Sequence, residues 1–147
     1  MAEVSQTAWS WLLRIALFLV LSPATLAGPD LPGPIPAELV RVIDGDTIEV
    51  RARIWLDLDL TTRVRLAGID APELVGGCPE EHRLAGLARD RLAALLGRGP
   101  VRLADIQRDK YGGRVVAEVL LADGRRASEA LLASGVAALS SAPGGWC

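Results

Sequence analysis

The chain has 147 residues, half of them hydrophobic, and a formal net charge of −2. A chain of this length accommodates one domain of ordinary size. The near balance of acidic and basic residues excludes a bulk polycation, so any nucleic-acid binding must use a local patch of positive charge.

The first 27 residues have the order of features that is typical of a secretory signal peptide. Arg14 precedes the uninterrupted apolar run 15–21, Pro23 breaks that run, and small residues lead up to Ala27. The run is shorter than the roughly 20 apolar residues that a membrane-spanning helix needs. A single-pass anchor starting near Trp9 is the alternative, and Arg14 and Pro23 argue against it. We therefore expect cleavage after Ala27, a secreted or periplasmic location, and no stable membrane association afterwards.

A linker and three strands follow the predicted signal peptide. Residues 28–36, GPDLPGPIP, read as a Pro/Gly linker without periodicity, which leaves 37–147 as the predicted domain. The apolar run Leu39–Ile43 predicts one strand, and the alternation of Thr47–Trp55 predicts a second. Asp57–Leu60 is expected to form a hairpin loop, and Arg63–Leu66 a third strand with Arg63 and Arg65 on the face opposite Val64 and Leu66.

The hydrophobic period then changes to that of a helix over Pro79–Leu96, whose proline and two glutamates suit a first helical turn. The predicted apolar stripe of this helix comprises Leu84, Leu87, Ala88, Leu92 and Leu95. Val101–Ile106 and Val115–Leu121 predict two more strands, and Ala127–Ala133 a short helix that ends at Gly135. The order β-β-β-α-β-β-α is that of a five-stranded OB-fold barrel, a mainly β fold with a helix between strands three and four and a short C-terminal helix.

The two cysteines, Cys78 and Cys147, are predicted to form a disulfide, because an exported chain enters an oxidising space. Free thiols, or a metal site shared with His82, are the alternatives. One histidine and two scattered cysteines lack the spacing of a zinc site, which favours the disulfide.

Carboxylates cluster at two turns of the chain. Asp44 and Asp46 flank a glycine, and oxygen ligands in such a turn can hold a hard cation. The spacing is not that of an EF-hand, and for this motif alone a plain turn between strands is the commoner explanation. If strands one and three bring their turns together, Asp46 and Asp70 can converge on one divalent ion. Glu73 would then stand near the metal as a candidate base.

Basic residues complete the predicted site. Arg65 lies on the third strand, and the segment 109–114, DKYGGR, offers two cations and the only tyrosine of the chain. Arginine forks and a metal ion stabilise charge on phosphoryl oxygens, and a carboxylate can activate water. Surface salt bridges would explain any one of these motifs, but the combination favours phosphodiester cleavage.

Four segments in this order, RVIDGDTIEV, RVRLAGIDAPE, RDKYGGRVVAEVLLADG and EALLASGVA, resemble the staphylococcal nuclease (thermonuclease) family. The resemblance covers about residues 37–138. It implies an OB-fold and calcium-dependent cleavage of DNA and RNA, in which the 5′ oxygen leaves and 3′-phosphate products form. The implied partner is a DNA and/or RNA substrate, and we expect a monomer.

The resemblance also implies roles for individual residues. Asp46 and Asp70 match calcium-binding aspartates, and Ala71 falls where a backbone carbonyl binds the ion. Glu73 matches the general base. The other matches are to residues that contact phosphate: Arg65 and Arg114 at the scissile phosphate, Lys110 and Tyr111 at a terminal phosphate.

Two features depart from the family pattern. DKYGGR has one glycine more than the usual DKYGR, and we favour an insertion of Gly113 that forms a turn or bulge and leaves Arg114 in register. The C-terminus ends shortly after VAALSS, without the tyrosines that stack on the base and without a third helix. Trp146 could supply a stacking face or pack beside the disulfide.

Two other classes of function compete with a nuclease. One is a non-catalytic OB-fold module that binds nucleic acid or another partner. A decayed site of that kind should lack at least one of Asp46, Arg65, Asp70 and Glu73, and all four are present. The other is a structural calcium-binding export domain, which would need no arginines at the site.

Overall fold

A computed structural model describes residues 30–75, 77–142 and 145–147. The predicted signal peptide and the first two linker residues lie outside the described residues. Within the described ranges, no helix combines the length and the apolarity that crossing a lipid bilayer requires.

The described residues form seven strands and two helices. The strands are β1 (Ile35–Val42), β2 (Thr47–Trp55), β3 (Leu58–Leu66), β4 (Ile69–Asp70), β5 (Pro100–Arg108), β6 (Arg114–Leu120) and β7 (Ala138–Leu139). The helices are α1 (Pro79–Leu96) and α2 (Ala127–Ala133), with the bounds that the sequence predicts.

Five of the strands close into a barrel in the order β1-β2-β3-β6-β5, and β5 returns to pair with β1. The β3–β6 pair is parallel, and the other neighbours in the barrel are antiparallel. Helix α1 lies between the third and fourth barrel strands of the chain, and α2 follows the fifth. This closed mixed barrel with its two helices confirms the predicted fold class. Outside the barrel, β4 and β7 form a two-stranded antiparallel sheet that the sequence did not predict.

The core follows the predicted alternation along the strands. Ile48 and Val50 of β2 and Val64 and Leu66 of β3 are almost fully buried, and all pack in the barrel. Residues between them, such as Arg65, therefore point to the outer face of the barrel. The barrel thus presents the arginine of the third strand to solvent on a rigid support.

Helix α1 confirms the predicted stripe at Ala88 and Leu92, which are buried, and at Leu95, which is partly buried against the core, but not at Leu87. Its buried residues are Ala85, Ala88, Leu92 and Leu96, whereas Leu87 is 49% exposed. At Ala88 the helix closely approaches the β1–β2 turn, since a Cβ atom on Gly45 would lie 2.5 Å from the Cβ of Ala88. Small residues on both surfaces allow this contact. Because Gly45 has no side chain, the turn that carries Asp46 packs directly against α1.

The β2–β3 hairpin is longer than predicted, because Trp55 pairs with Leu58 and the turn is confined to residues 56–57. The predicted loop over Asp57–Leu60 is wrong for its last three residues, whose alternation of leucine and aspartate continues the strand. Ile54 alternates with the buried Ile48 and Val50, but it lies near the tip of the hairpin and is 43% exposed.

The barrel also begins before the predicted boundary at Ala37. Strand β1 starts at Ile35, and Leu31 forms a bridge with Ile106 of β5 through backbone hydrogen bonds of 3.0 and 2.8 Å. The second half of the predicted linker is thus paired with the barrel, where its backbone groups find partners.

Candidate active site

Asp46 lies in the tight turn between β1 and β2, where the backbone N–H groups of Ile43 and Asp44 both donate to the carbonyl of Thr47. Its carboxylate is almost fully buried and accepts a hydrogen bond of 2.8 Å from the Thr47 hydroxyl. Burial raises the pKa of Asp46 to about 6, and Arg65 and Thr47, which favour the carboxylate, offset only part of this shift. The turn therefore holds an acid whose charge is costly unless a cation lies beside it.

Arg65 supplies that cation, from the outer face of β3. Its Nη2 atom lies 3.1 Å from Oδ2 of Asp46 and 2.6 Å from Oδ1 of Asp70. Thr47 pairs with Arg65 across the β2–β3 ladder, which brings the turn residue and the arginine together. Desolvation works against the charged form, but the two carboxylates outweigh it and raise the pKa of Arg65. The structure thus brings Asp46 and Asp70, distant in sequence, to one guanidinium.

Asp70 is held by the small sheet outside the barrel. It pairs with Ala138 in the β4–β7 ladder, and its side chain is 50% exposed. The C-terminal segment therefore fixes the backbone of Asp70 while leaving its carboxylate open to solvent.

Most of the predicted site residues line an open cleft of about 650 Å³. The charged and aromatic side chains of its lining are Arg65, Asp70, Glu73, Asp109, Lys110, Tyr111 and Arg114. Asp46 lies behind Arg65 and is not part of the lining. Ala71 is buried directly after Asp70, with its side chain against the Gly45 turn, and is also outside the lining.

Arg114 is the first residue of β6, which runs parallel to β3 with Val116 opposite Arg65. Arg114 and Val116 both line the cleft, as expected for alternate residues on one face of a strand. Gly112 and Gly113 form the turn before β6, and Gly113 has a φ of +82°. A residue with a side chain would be strained there. Arg114 therefore faces the same cleft as Arg65, and the second glycine is taken up in the turn.

Asp109 orients Arg114, a contact that the sequence analysis missed. The Nε atom of Arg114 donates to Oδ2 of Asp109, whose side chain is only 5% exposed. Desolvation works to raise the pKa of Asp109, but the bond from Arg114 and the backbone N–H of Tyr111 outweigh it, and the pKa is lowered. The sequence does point to Asp109, because it is the first residue of the DKYGGR segment. The pairing of its side chain with Arg114 becomes visible only in the fold.

Tyr111 lies between two cations at the rim of the cleft. Its ring centroid is 5.0 Å from Nζ of Lys110 and 5.0 Å from Cζ of Arg114, distances at which cation–π attraction operates. The ring is 57% exposed. Lys110 and Tyr111 thus form a basic, aromatic edge that is free to meet a ligand.

Glu73 lies in the loop between β4 and α1, exposed and one residue beyond the fully buried Pro72. The buried proline anchors the start of this loop. Glu73 shares the cleft with Arg65 and Arg114, so the structure brings together the predicted base and the two predicted phosphate-binding arginines.

The sign of the net formal charge at the site changes when a divalent cation is added. Three basic side chains face four carboxylates: Arg65, Lys110 and Arg114 against Asp46, Asp70, Glu73 and Asp109. The group is therefore negative by one formal charge and unfavourable for a phosphate, and a divalent cation makes it positive by one. The ligand atoms that Asp46 and Asp70 offer are carboxylate oxygens, which suit calcium or magnesium. The residues therefore fit a hard divalent ion, which Asp46 and Asp70 would hold.

The Sγ atoms of Cys78 and Cys147 are joined in a disulfide, with Cα atoms 6.1 Å apart. These sulfurs and the Glu81 carboxylate lie within 4.8 Å of one another, a spacing that a metal site can also have. Bonded sulfurs offer no thiolate, so this group does not fit a metal. The bond instead ties the C-terminus to the residue that precedes α1, close to the Glu73 loop.

Two comparisons with known proteins, one with family models and one with curated sequences, found similar proteins. A family model described as staphylococcal nuclease homologue matches residues 63–143. The chain is 33% identical over 109 residues to an uncharacterized endonuclease of Escherichia coli, a match that covers 74% of this chain and 63% of the relative. It is 36% identical over 107 residues to micrococcal nuclease of Shigella flexneri, covering 73% and 53%. It is 34% identical over 109 residues to protein ParB of Escherichia coli, covering 74% and 53%.

The chain spans less than two thirds of the length of these curated relatives. The family match itself covers more than half of the chain and includes Arg65, Asp70, Glu73 and Arg114. Asp46 precedes the matched range, and its contact with Arg65 joins it to the same site. The fold, the cleft and the match together confirm the resemblance: the chain belongs to the staphylococcal nuclease homologue family.

Proposed function

We propose that the protein is a secreted or periplasmic calcium-dependent nuclease, a phosphodiesterase that hydrolyses DNA and/or RNA internally. The observation that carries this proposal is the double contact of Arg65 with Asp46 and Asp70 at the edge of a cleft that also contains Glu73 and Arg114. The relatives named endonuclease and micrococcal nuclease support the same class of reaction.

Glu73 and the two arginines of the cleft each have a part in the proposed reaction. Glu73 accepts a proton from the attacking water, whose oxygen bonds to phosphorus. The bond from phosphorus to the 5′ oxygen breaks, that oxygen takes up a proton from solvent, and the products carry a 3′-phosphate and a 5′-hydroxyl. Arg65 and Arg114 donate hydrogen bonds to the phosphoryl oxygens as their negative charge grows. A calcium ion bound by Asp46, Asp70 and the Ala71 carbonyl would supply electrostatic stabilisation at the same phosphate.

The rim would bind the substrate beyond the reacting bond. Lys110 and Tyr111 offer an ammonium and a phenol hydroxyl, which suit a terminal phosphate of the nucleotide. Their mutual cation–π contact restricts the orientation of both side chains before substrate arrives.

The experiment is a cleavage assay on end-labelled single-stranded DNA with purified, oxidised protein, in calcium and in excess chelator. We expect fragments only with calcium, and phosphatase treatment should alter them at the 3′ end. Glu73→Gln should lower kcat by about a thousandfold, in the range expected for loss of a general base. Glu80→Gln is the matched control, because Glu80 is exposed and pairs with Arg83 within the same helix. Equal activity in calcium and chelator, or none in either, would contradict the proposal.

Export is part of the proposal and has its own test. The paired cysteines are compatible with an oxidising compartment. When the full chain is expressed in a bacterial host, we expect periplasmic or secreted protein whose N-terminal residue is Gly28. A cytoplasmic product that retains Met1 would contradict it.

A further inference from the structure

Glu81, on the first turn of α1, is bonded to the loop that carries Glu73. Its Oε2 atom accepts a hydrogen bond of 2.8 Å from the backbone N–H of Gly77. Its Oε1 atom accepts a longer one of 3.5 Å from the backbone N–H of Glu73 itself. One carboxylate thus holds two points of the loop, one of them at the predicted base.

The use of this glutamate is unusual for its position. The third residue of a helix often bonds back to the N-cap N–H in a capping box. Here the N-cap is Cys78, whose side chain makes no capping hydrogen bond. The Glu81 carboxylate instead accepts hydrogen bonds from the N–H groups of Gly77 and Glu73, so it binds the loop before the helix and does not cap the helix.

Among the described residues of the loop after Pro72, the side chains are exposed. Leu74 is 37% exposed and Val75 is 93% exposed, so neither side chain anchors the segment in the core. Hydrogen bonds from N–H groups to a carboxylate are stronger than those between neutral groups. Among the contacts of the described residues, the Glu81 carboxylate therefore restrains the loop backbone strongly at Gly77 and more weakly at Glu73.

The disulfide confines Glu81 from the other side. The Sγ atom of Cys147 lies 3.6 Å from Oε2 of Glu81, and a Cβ atom on Gly77 would lie 3.9 Å from Oε2 and 4.0 Å from that sulfur. Glu81 is half-buried, while the neighbouring Glu80 is exposed. The C-terminal residue thus limits the rotamers of Glu81 and keeps its carboxylate against the loop.

We infer that Glu81 is a positioning residue for the reaction: it sets the backbone of Glu73, and through it the direction of the base toward water. This inference rests on the proposed nuclease function. A misplacement of a reacting group by about 1 Å can cost about a hundredfold in rate. Loss of Glu81 should therefore lower kcat while leaving the phosphate-binding arginines, and hence KM, nearly unchanged.

The test compares Glu81→Ala, Glu81→Gln and the control Glu80→Ala in the oxidised protein. We expect Glu81→Ala to lower kcat by about 10- to 100-fold with KM changed by less than about threefold. Glu81→Gln keeps one amide oxygen as an acceptor and should recover part of the loss. Glu80→Ala should match the parent protein, since within the described residues the Glu80 carboxylate accepts its hydrogen bonds from the exposed Arg83.

A second measurement is independent of activity. Backbone amide exchange of Glu73 and Gly77, followed by NMR, should accelerate in Glu81→Ala and stay unchanged in Glu80→Ala. If the parent protein cleaves DNA and Glu81→Ala cleaves it equally fast, the positioning role is wrong and the nuclease proposal stands. If the loss lies wholly in KM, or if amide exchange is unchanged, the positioning role is also wrong. An inactive parent protein would overturn the proposed function and this inference together.

Discussion

The Nη2 atom of Arg65 lies 3.1 Å from Oδ2 of Asp46, a carboxylate that is almost fully buried. A buried charge of this kind is costly when it lacks a partner. The guanidinium offsets part of that cost, yet the pKa of Asp46 remains at about 6. The site thus maintains a destabilising acid, as expected where an ion-binding function sets the local structure.

The first prediction concerns the stability of the metal-free protein against pH. Because folding raises the pKa of Asp46 from an ordinary 3.8 to about 6, the folded state holds its proton more tightly, and stability falls as pH rises through that interval. Asp46→Asn removes the charge and should be more stable than the parent at about pH 8, by on the order of 2–3 kcal/mol. The advantage should nearly vanish at about pH 4. Urea denaturation in chelator measures it, and an advantage independent of pH would contradict the assignment.

The second prediction concerns calcium and thermal stability. A ligand that binds only the folded state raises Tm, and carboxylate ligands must be ionised to bind it. Calcium should therefore raise Tm more at about pH 8 than at about pH 5, where Asp46 is largely protonated. Asp46→Asn should show little shift at either pH. An equal shift in the variant would mean that the ion binds elsewhere.

The third prediction concerns Arg114 and the turn before it. Arg114→Ala should lower kcat by about a hundredfold, comparable to the loss of one donor to a transition-state oxyanion. The control is Arg125→Ala, since Arg125 pairs with Asp123 in an exposed turn. Gly113→Ala should also lower activity, because alanine is strained at a φ of +82° and would shift the start of β6. A nearly silent Arg114→Ala would show that the cleft does not use this arginine.

The fourth prediction concerns the disulfide. Cys78 and Cys147 are 69 positions apart, and closing a loop of that length stabilises the folded state by about 4 kcal/mol in the chain-entropy estimate. The double variant Cys78→Ser/Cys147→Ser should lose stability of that order in denaturant. Unfolded, unreduced parent protein should show no reactive thiol. Two thiols per chain in protein isolated from the export compartment would contradict the pairing.

The sequence alone predicts the elements whose signals are local. The bounds of α1 and α2 follow from helical periodicity between Pro79 and Leu96 and between Ala127 and Ala133. Strand alternation predicts the buried faces of β2 and β3, because neighbouring side chains point to opposite sides. The charged motifs name the residues of the cleft, since phosphodiester chemistry restricts which side chains can serve it.

The tertiary structure decides which of these residues touch. The contact of Arg65 with Asp46 requires the β2–β3 register, and the bond of Arg114 to Asp109 requires the turn at Gly113. The hydrogen bonds from Gly77 and Glu73 to the Glu81 carboxylate depend on the direction in which α1 leaves that loop. Such contacts join residues through space, and local periodicity carries no information about them. The sequence therefore determined the components of the site, whereas barrel closure and helix packing determined the partner of each charge.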